Sequence, residues 1–502
     1  MRRCRTAFHL FAATAALALL AGCAVGPNFL RPAAPDAKGY TAEPLPAETA
    51  HAAVHGGAAQ HFVSGEDIPG QWWRLFHSPP LDKLITEALT ANPDIAAAQA
   101  SLRQAKETLA AGEGAFFPRV DSSLGIEREK SSSASFGIAG LTSLFSVATA
   151  SVNISYPIDV FGGTRRQVES LEAQAEYQRF QLEAAYLTLT SNVVTTAVQE
   201  ASLRAQIAAT QDIIKAENQQ LDVLQRQFQL GGIAKAAVLA QQATLAAARA
   251  NLPPIEKQLA QARNALSALA GRLPSDEPAA HFDLASIQLP QDLPVSLPSK
   301  LVEQRPDVRA AEAQLHSASA QIGVATANML PQITLTGSYG STAVPPGNLF
   351  SAGTGVWSVA AGLAQPIFHG GELLHQKRAA VAAFDKAAAQ YRSTVLAAFQ
   401  NVADTLRALE SDANALNAQL VADRSAEDSL NLARQQFRAG GISYLSLLDA
   451  ERTFQQARIN LVTAQANRYA DTAALFQALG GGWWHRSDVA SPGNHAKAGA
   501  GQ

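Results

Sequence analysis

Apolar positions change period in a fixed order along the chain. From about residue 81 to 115, and again from about 300 to 328, they recur three and four apart, which predicts helices of moderate length ending before Pro118 and Pro331. Period two follows. Val120, Ser122, Leu124 and Ile126 alternate with Asp121 and Ser123, and Val152, Ile154 and Tyr156 alternate with Asn153 and Ser155. Ile333, Leu335, Gly337 and Tyr339 alternate with Thr334, Thr336 and Ser338; Val356 to Leu363 forms a less clean fourth run. Four strands near ten residues long are expected, a length that suits a membrane strand and a soluble hairpin alike. The stretches between them, about 128–147 and 341–355, are rich in Ser, Gly and Ala and read as long loops.

The pattern then returns to the helical period and keeps it. Neither Pro nor Gly interrupts residues 164–229 or 372–439, so each segment could reach on the order of 100 Å at ~1.5 Å per residue. Their stripes (Leu171, Ala175, Leu182; Leu406, Leu409, Ala413) are rich in Ala, which permits the close helix approach of coiled coils. A plain antiparallel coiled-coil bundle is the rival reading of these segments. Gly231-Gly232 and Gly440-Gly441 break them, and returning helices follow. Glycine suits a tight helix reversal because it adopts positive φ without penalty.

The chain is written twice. Asn92-Pro93-Asp94-Ile95 recurs as Arg305-Pro306-Asp307-Val308, and Tyr156-Pro157-Ile158 with Gly162-Gly163 recurs as Gln365-Pro366-Ile367 with Gly370-Gly371. Gln227-Phe228 before the first Gly-Gly matches Gln436-Phe437 before the second, and Leu269-Ala270-Gly271 matches Leu479-Gly480-Gly481. A period of about two hundred residues means a duplicated domain, expected at 71–290 and 291–484. Four strands cannot close a membrane barrel, whose smallest form has about eight, so several copies must share one.

Composition narrows the class. Of 502 residues, 47% are apolar, largely Ala, and the net charge of -3 excludes a nucleic-acid binder driven by basic charge. No stretch has the ~18 uninterrupted apolar residues of a spanning helix, which excludes a helical transporter. Residues 1–22 have the layout of a secretory signal peptide, with Arg2, Arg3 and Arg5 ahead of an apolar run. Leu20-Ala21-Gly22-Cys23 resembles a bacterial lipobox, which implies acylation of Cys23; two or more acyl chains anchor stably where one does not. Ala24, not Asp, follows, which implies delivery to the outer membrane. Loss of the signal takes Cys4 with it, leaving no free thiol, and moves the net charge to about -6. Residues 23–70 read as a lipidated segment and linker with solvated His51, His55 and His61, and 485–502 as a disordered tail.

No enzyme signature is present: no phosphate-cradling Gly loop, no His-Glu-x-x-His, no nucleophile elbow. His369, Glu372 and His375 could make a weak metal site on spacing alone, but they sit where a strand meets a long helix. No catalytic residue, metal or cofactor is expected.

Cys23 to Pro32, Trp72-Trp73 ahead of Asn92-Pro93-Asp94, and above all the string from Leu301 to Leu315 around Arg305-Pro306-Asp307 resemble the TolC-like outer-membrane factors. Within that family the resemblance is to the outer-membrane lipoproteins of resistance-nodulation-division (RND) efflux systems. It implies a mainly α protomer with a membrane β portion, three of which form a twelve-stranded β-barrel continuous with a long periplasmic α-helical barrel. It also implies a homotrimer in outer-membrane lipid, working with a periplasmic adaptor (membrane fusion) protein and an inner-membrane RND pump to export drugs or small metabolites. By the same resemblance, Gly231, Gly232, Gly440 and Gly441 lie at the periplasmic tip that meets the adaptor. Leu445 matches an apolar constriction ring, Asp449 an acidic gate ring, and Arg452 its partner across subunits. Read locally, Asp449 and Arg452 would be a surface ion pair. Pro157, Gly162, Gly163, Pro366, Gly370 and Gly371 mark strand–helix junctions. Ser446 stands where some relatives carry a second gate Asp, and Ala237 where many are polar, so closure is expected to rest on Leu445 and the Asp449–Arg452 pair. Type I protein secretion by the same fold and a non-conducting structural coiled coil are the alternatives.

Overall fold

The computed structural model describes residues 24–132, 142–276 and 280–486; the expected signal peptide, Cys23 and nearly all of the tail lie outside them. In the first repeat, α1 (Pro79–Ala91) and α2 (Pro93–Glu113) lead into β2 (Arg119–Ser132) and β3 (Thr142–Ile158), then α3 (Gly163–Gln229) and α4 (Lys235–Leu269). In the second, α5 (Pro298–Gln304) and α6 (Pro306–Ala327) lead into β5 (Gln332–Ala343) and β6 (Gly355–Ala364), then α7 (Glu372–Arg438) and α8 (Tyr444–Ala478). Two short strands, β1 (His61–Ser64) and β4 (Asp292–Val295), pair in parallel.

The sheet β2-β3-β5-β6 is antiparallel throughout, and β2 and β6 are its open edges. Two compact units share the chain: Met1–Pro32 with Ser101–Gln178 and Ala310–Tyr391, and Ala33–Ala100 with Arg179–Arg309 and Arg392–Gln502. Each repeat supplies segments to both.

Three expectations need correction. The helix expected at 81–115 is two helices, as is that at 300–328. Asn92 and Arg305 are extended (ψ 125 and 124), because the following proline lacks an N–H and crowds the residue before it. The loop expected at 128–147 is shorter, since β2 runs to Ser132 and the charged run Glu127–Lys130 stays in the ladder opposite Leu144–Val147. Backbone pairing there does not depend on side-chain polarity. Finally, residues 33–70 are not a free linker. Ala52 and Gln60 are buried, and β1 adds to β4. His55 Nε2 donates to Leu284 O at 2.8 Å, while His61 lies 3.1 Å from Glu48 and 3.4 Å from Asp292.

The duplication is visible in atomic detail where α4 and α8 end. Asn92 Nδ2 donates to Leu269 O at 3.0 Å, and its repeat counterpart Arg305 donates from Nη1 to Ala478 O at 2.9 Å. Gly271 (φ 71) and Gly480 (φ 97) both adopt the left-handed conformation there, so the equivalence falls one residue earlier in the second repeat than the match of Leu269–Gly271 to Leu479–Gly481 expects. A Cβ on Gly271 would lie 2.4 Å from Ala91 O, and one on Gly480 2.7 Å from Gln304 O. Gly271→Ala combines backbone strain with that clash, so it is expected to cost about 2 kcal/mol or more, read as a lower thermal midpoint of the purified protein in detergent.

Candidate channel wall, junctions and tip

Register makes the sheet two-faced. One cross-strand row runs Val120, Ile154, Gly337, Val359, and the next Ser122, Val152, Tyr339, Trp357. Further along, Leu335 opposes Tyr156 and Ala361. Leu124, Ile126, Trp357 and Val359 are each more than 70% exposed, so this apolar face is uncovered in the protomer. The opposite face carries Asp121, Asn153, Ser338 and Ser358 in one row. It is laced by hydroxyls: Ser338 and Ser358 Oγ atoms lie 2.8 Å apart, and Ser123 and Ser151 2.9 Å. Alternation at period two is what separates a lipid-facing surface from a wet one in a membrane barrel.

The expected junction residues fall where strands meet helices. Pro157 sits in β3 opposite Thr334. Asp159 then caps α3, its carboxylate accepting from the backbone N–H of Thr164 (3.1 Å) and Arg165 (2.9 Å). Gly162 (φ 78) lets Ala24 approach, since a Cβ would lie 2.5 Å from Ala24 Cα, and Gly163 packs on Ala327. Their counterparts differ. Pro366 follows β6, and Gly370 (φ 61) and Gly371 (φ 88) serve chain reversal, with no backbone pressed against them. Glu372 of the weak metal triad accepts from Gln376 Nε2 at 2.9 Å.

Sequence reading missed what holds the segment after Cys23. Val25 N donates to Phe161 O at 2.9 Å, and Arg166 donates to Val25 O (3.1 Å), Asn28 Oδ1 (2.6 Å) and Glu169 Oε2 (2.6 Å). Phe29 stacks on His316 at 4.4 Å, and Arg31 lies 3.1 Å from Glu312. Glu312 falls within the Leu301–Leu315 string, but its partner is not legible there because the two lie far apart in sequence.

At the other turn, Gly231 (φ 78) and Gly440 (φ 75) reverse the helices. Gly232 N donates to Gln227 O and Gly441 N to Gln436 O, both at 2.8 Å, satisfying carbonyls the helix ends leave open. Ser443 caps α8 by accepting from Ser446 N at 3.2 Å. Leu224, Val238, Leu430, Tyr444, Leu447 and Leu448 form a buried cluster beneath, against which Ala237 packs. Leu445, Asp449 and Arg452 share an exposed stripe of α8, four and three residues apart, with Leu445 69% exposed. Among the described residues no ion pair joins Asp449 to Arg452 within the protomer, which corrects the local surface-pair reading.

A two-faced antiparallel sheet with uncovered apolar rows, joined to helices of 67 residues, defines an outer-membrane channel protein. The chain belongs to the outer membrane efflux protein family, whose profile matches residues 84–272 and 297–481, one match per repeat. It is 30% identical over 425 residues to the pyoverdine export outer membrane protein OpmQ of Pseudomonas putida, covering 83% of this chain and 89% of that one. It is 28% identical over 469 residues to the probable outer membrane lipoprotein SilC of Salmonella typhimurium, covering 93% and 97%. The outer-membrane channel OprN superposes with a TM-score of 0.82 at 26% identity, over 92% of this chain and all of that one. The TolC-like fold, the outer-membrane location and a role as the outer-membrane channel of an efflux system follow, and the family is one of channels, not enzymes.

Proposed function

We propose that three copies close one twelve-stranded barrel, the open edge of β6 pairing with β2 of the next protomer, and that the helices form the periplasmic duct below it. The observation that carries this is the sheet itself: both edges are unpaired and one face is apolar across all four strands. The duct passively releases drugs or small metabolites delivered by an inner-membrane RND pump through a periplasmic adaptor that meets the Gly231-Gly232 and Gly440-Gly441 turns. Cys23 carries the lipid anchor, and the Arg166 clamp on residues 25–28 sets where that anchor leaves the folded chain.

The exposed Leu445-Asp449-Arg452 stripe is the gate. Asp449 has no Arg452 partner in its own protomer, so Arg452 is left to meet a neighbouring copy's Asp449. Because residue 446 is a serine and carries no carboxylate, the aperture has one acidic ring, not two. In planar bilayers, Leu445→Ala and Asp449→Ala are each expected to raise the closed-state conductance several-fold. Unchanged closed-state conductance in both would sink the assignment.

A further inference from the structure

Behind the gate stripe, four helices meet on a buried polar cluster. Glu217 of α3 and Glu451 of α8 are both 3% exposed. Glu217 accepts from Gln455 Nε2 of α8 at 2.7 Å and from Gln241 Nε2 of α4, whose Oε1 in turn accepts from the Tyr444 hydroxyl. Arg434 of α7 lies 3.9 Å from Glu451 Oε1, with its side chain partly in solvent. Glu451 Oε2 is buried without a hydrogen-bond partner.

Ionising both carboxyls is costly because both are buried. Arg434 attracts both carboxyls and is the only arginine that acts on Glu451; Arg452 adds a weaker attraction, to Glu217 alone. The remaining facing group, Tyr444, stays neutral because burial raises its pKa. Two buried like charges in one cluster are costly, so the cluster holds a proton to higher pH than a solvated carboxyl does.

We propose that the Glu217–Glu451 pair is a proton-operated latch, holding the α3–α4 hairpin to the α7–α8 hairpin while it retains a proton and loosening the tip when it loses it. The latch rests on the reading of this tip as the gate. Burial and then the Glu217 charge push Glu451 up to about 7 from an ordinary value of about 4.5. The closed tip therefore binds this proton more tightly than a separated tip does. Closure is strongest below about 4.5 and weakens as pH rises toward about 7, the closed-to-open ratio falling by up to about tenfold per pH unit in each protomer.

The test measures two signals on purified full-length protein between pH 4.5 and 7.5. One is single-channel conductance; the other is hydrogen exchange of the segments around 217, 241 and 451, corrected for intrinsic rate. The wild type is expected to open and to exchange faster as pH rises. Glu451→Gln, which mimics the protonated form, should stay protected and nearly pH-independent. Glu217→Gln should shift the midpoint toward the ordinary carboxyl value, and it guards against a folding defect in the first variant. The latch is overturned if both variants keep the wild-type pH profile of exchange. Exchange that follows the prediction with unchanged conductance supports the latch and instead removes the gate assignment.

Discussion

Arg468→Ala is expected to lower stability by about 3–5 kcal/mol and to expose residues 33–70 to protease while leaving the sheet assembled. Arg468 is wholly buried, and its guanidinium ties that segment to α8. Nη1 donates to Gly56 O and Ala58 O, each at 3.1 Å, and Nη2 to Thr49 Oγ1 (3.1 Å) and Gln60 Oε1 (2.9 Å). Gln60 passes the connection on, donating from Nε2 to Pro290 O and Thr472 Oγ1. Alanine would strand those acceptors in a cavity the size of the lost side chain. Burial already lowers the pKa of Arg468, so part of the stabilisation is spent on keeping the cation dry, and the hydrogen bonds carry the remainder. Lysine should recover only a fraction, because a single ammonium cannot reproduce the planar fork. Thermal unfolding in detergent with limited proteolysis decides it; a midpoint within a degree of wild type would refute the assigned role.

The second large effect separates two neighbours on one strand. Ile154 stands on the apolar face between Val120 and Gly337, and Asn153 on the hydroxylated face between Asp121 and Ser338. Ile154→Lys is expected to cost ~2–4 kcal/mol per protomer by placing an ammonium in lipid, and so to abolish recovery of the proposed trimer from the outer-membrane fraction. Asn153→Lys points into water and should assemble normally, with a shift in ion selectivity toward anions. The two variants differ by one position and carry the same charge. Equal assembly of both, measured by gel mobility of unheated samples and by fractionation, would remove the lipid-facing assignment.

Much of this is legible in the sequence. The alternation around Val120, Ile154, Leu335 and Val359 marked strands and their sidedness, because side chains on a strand alternate faces whatever the tertiary context. The Gly-Gly turns and the long Pro- and Gly-free runs marked helix ends to within a residue or two, because glycine and proline act on their own backbone. The breaks at Pro93 and Pro306 were signalled by the same rule and missed, since apolar periodicity continues across them. The clamp of Arg166 on residues 25–28, the Arg468 hub and the Glu217–Glu451 cluster had no local signature. Their partners lie between 138 and 419 residues apart for Arg166 with Asn28 and Arg468 with Thr49, and any one of these residues reads alone as a polar position on a long helix.

By itself, then, the sequence determined the duplicated order of elements, the two faces of the strands and the places where helices must turn. These depend on backbone restrictions and on period, both of which act over a few residues. Only the tertiary structure decided which charges are buried together, which strand edges stay open, and that Asp449 and Arg452 do not pair within one protomer. Burial and pairing depend on which helices pack side by side, and that is settled by long-range contacts that no local pattern encodes.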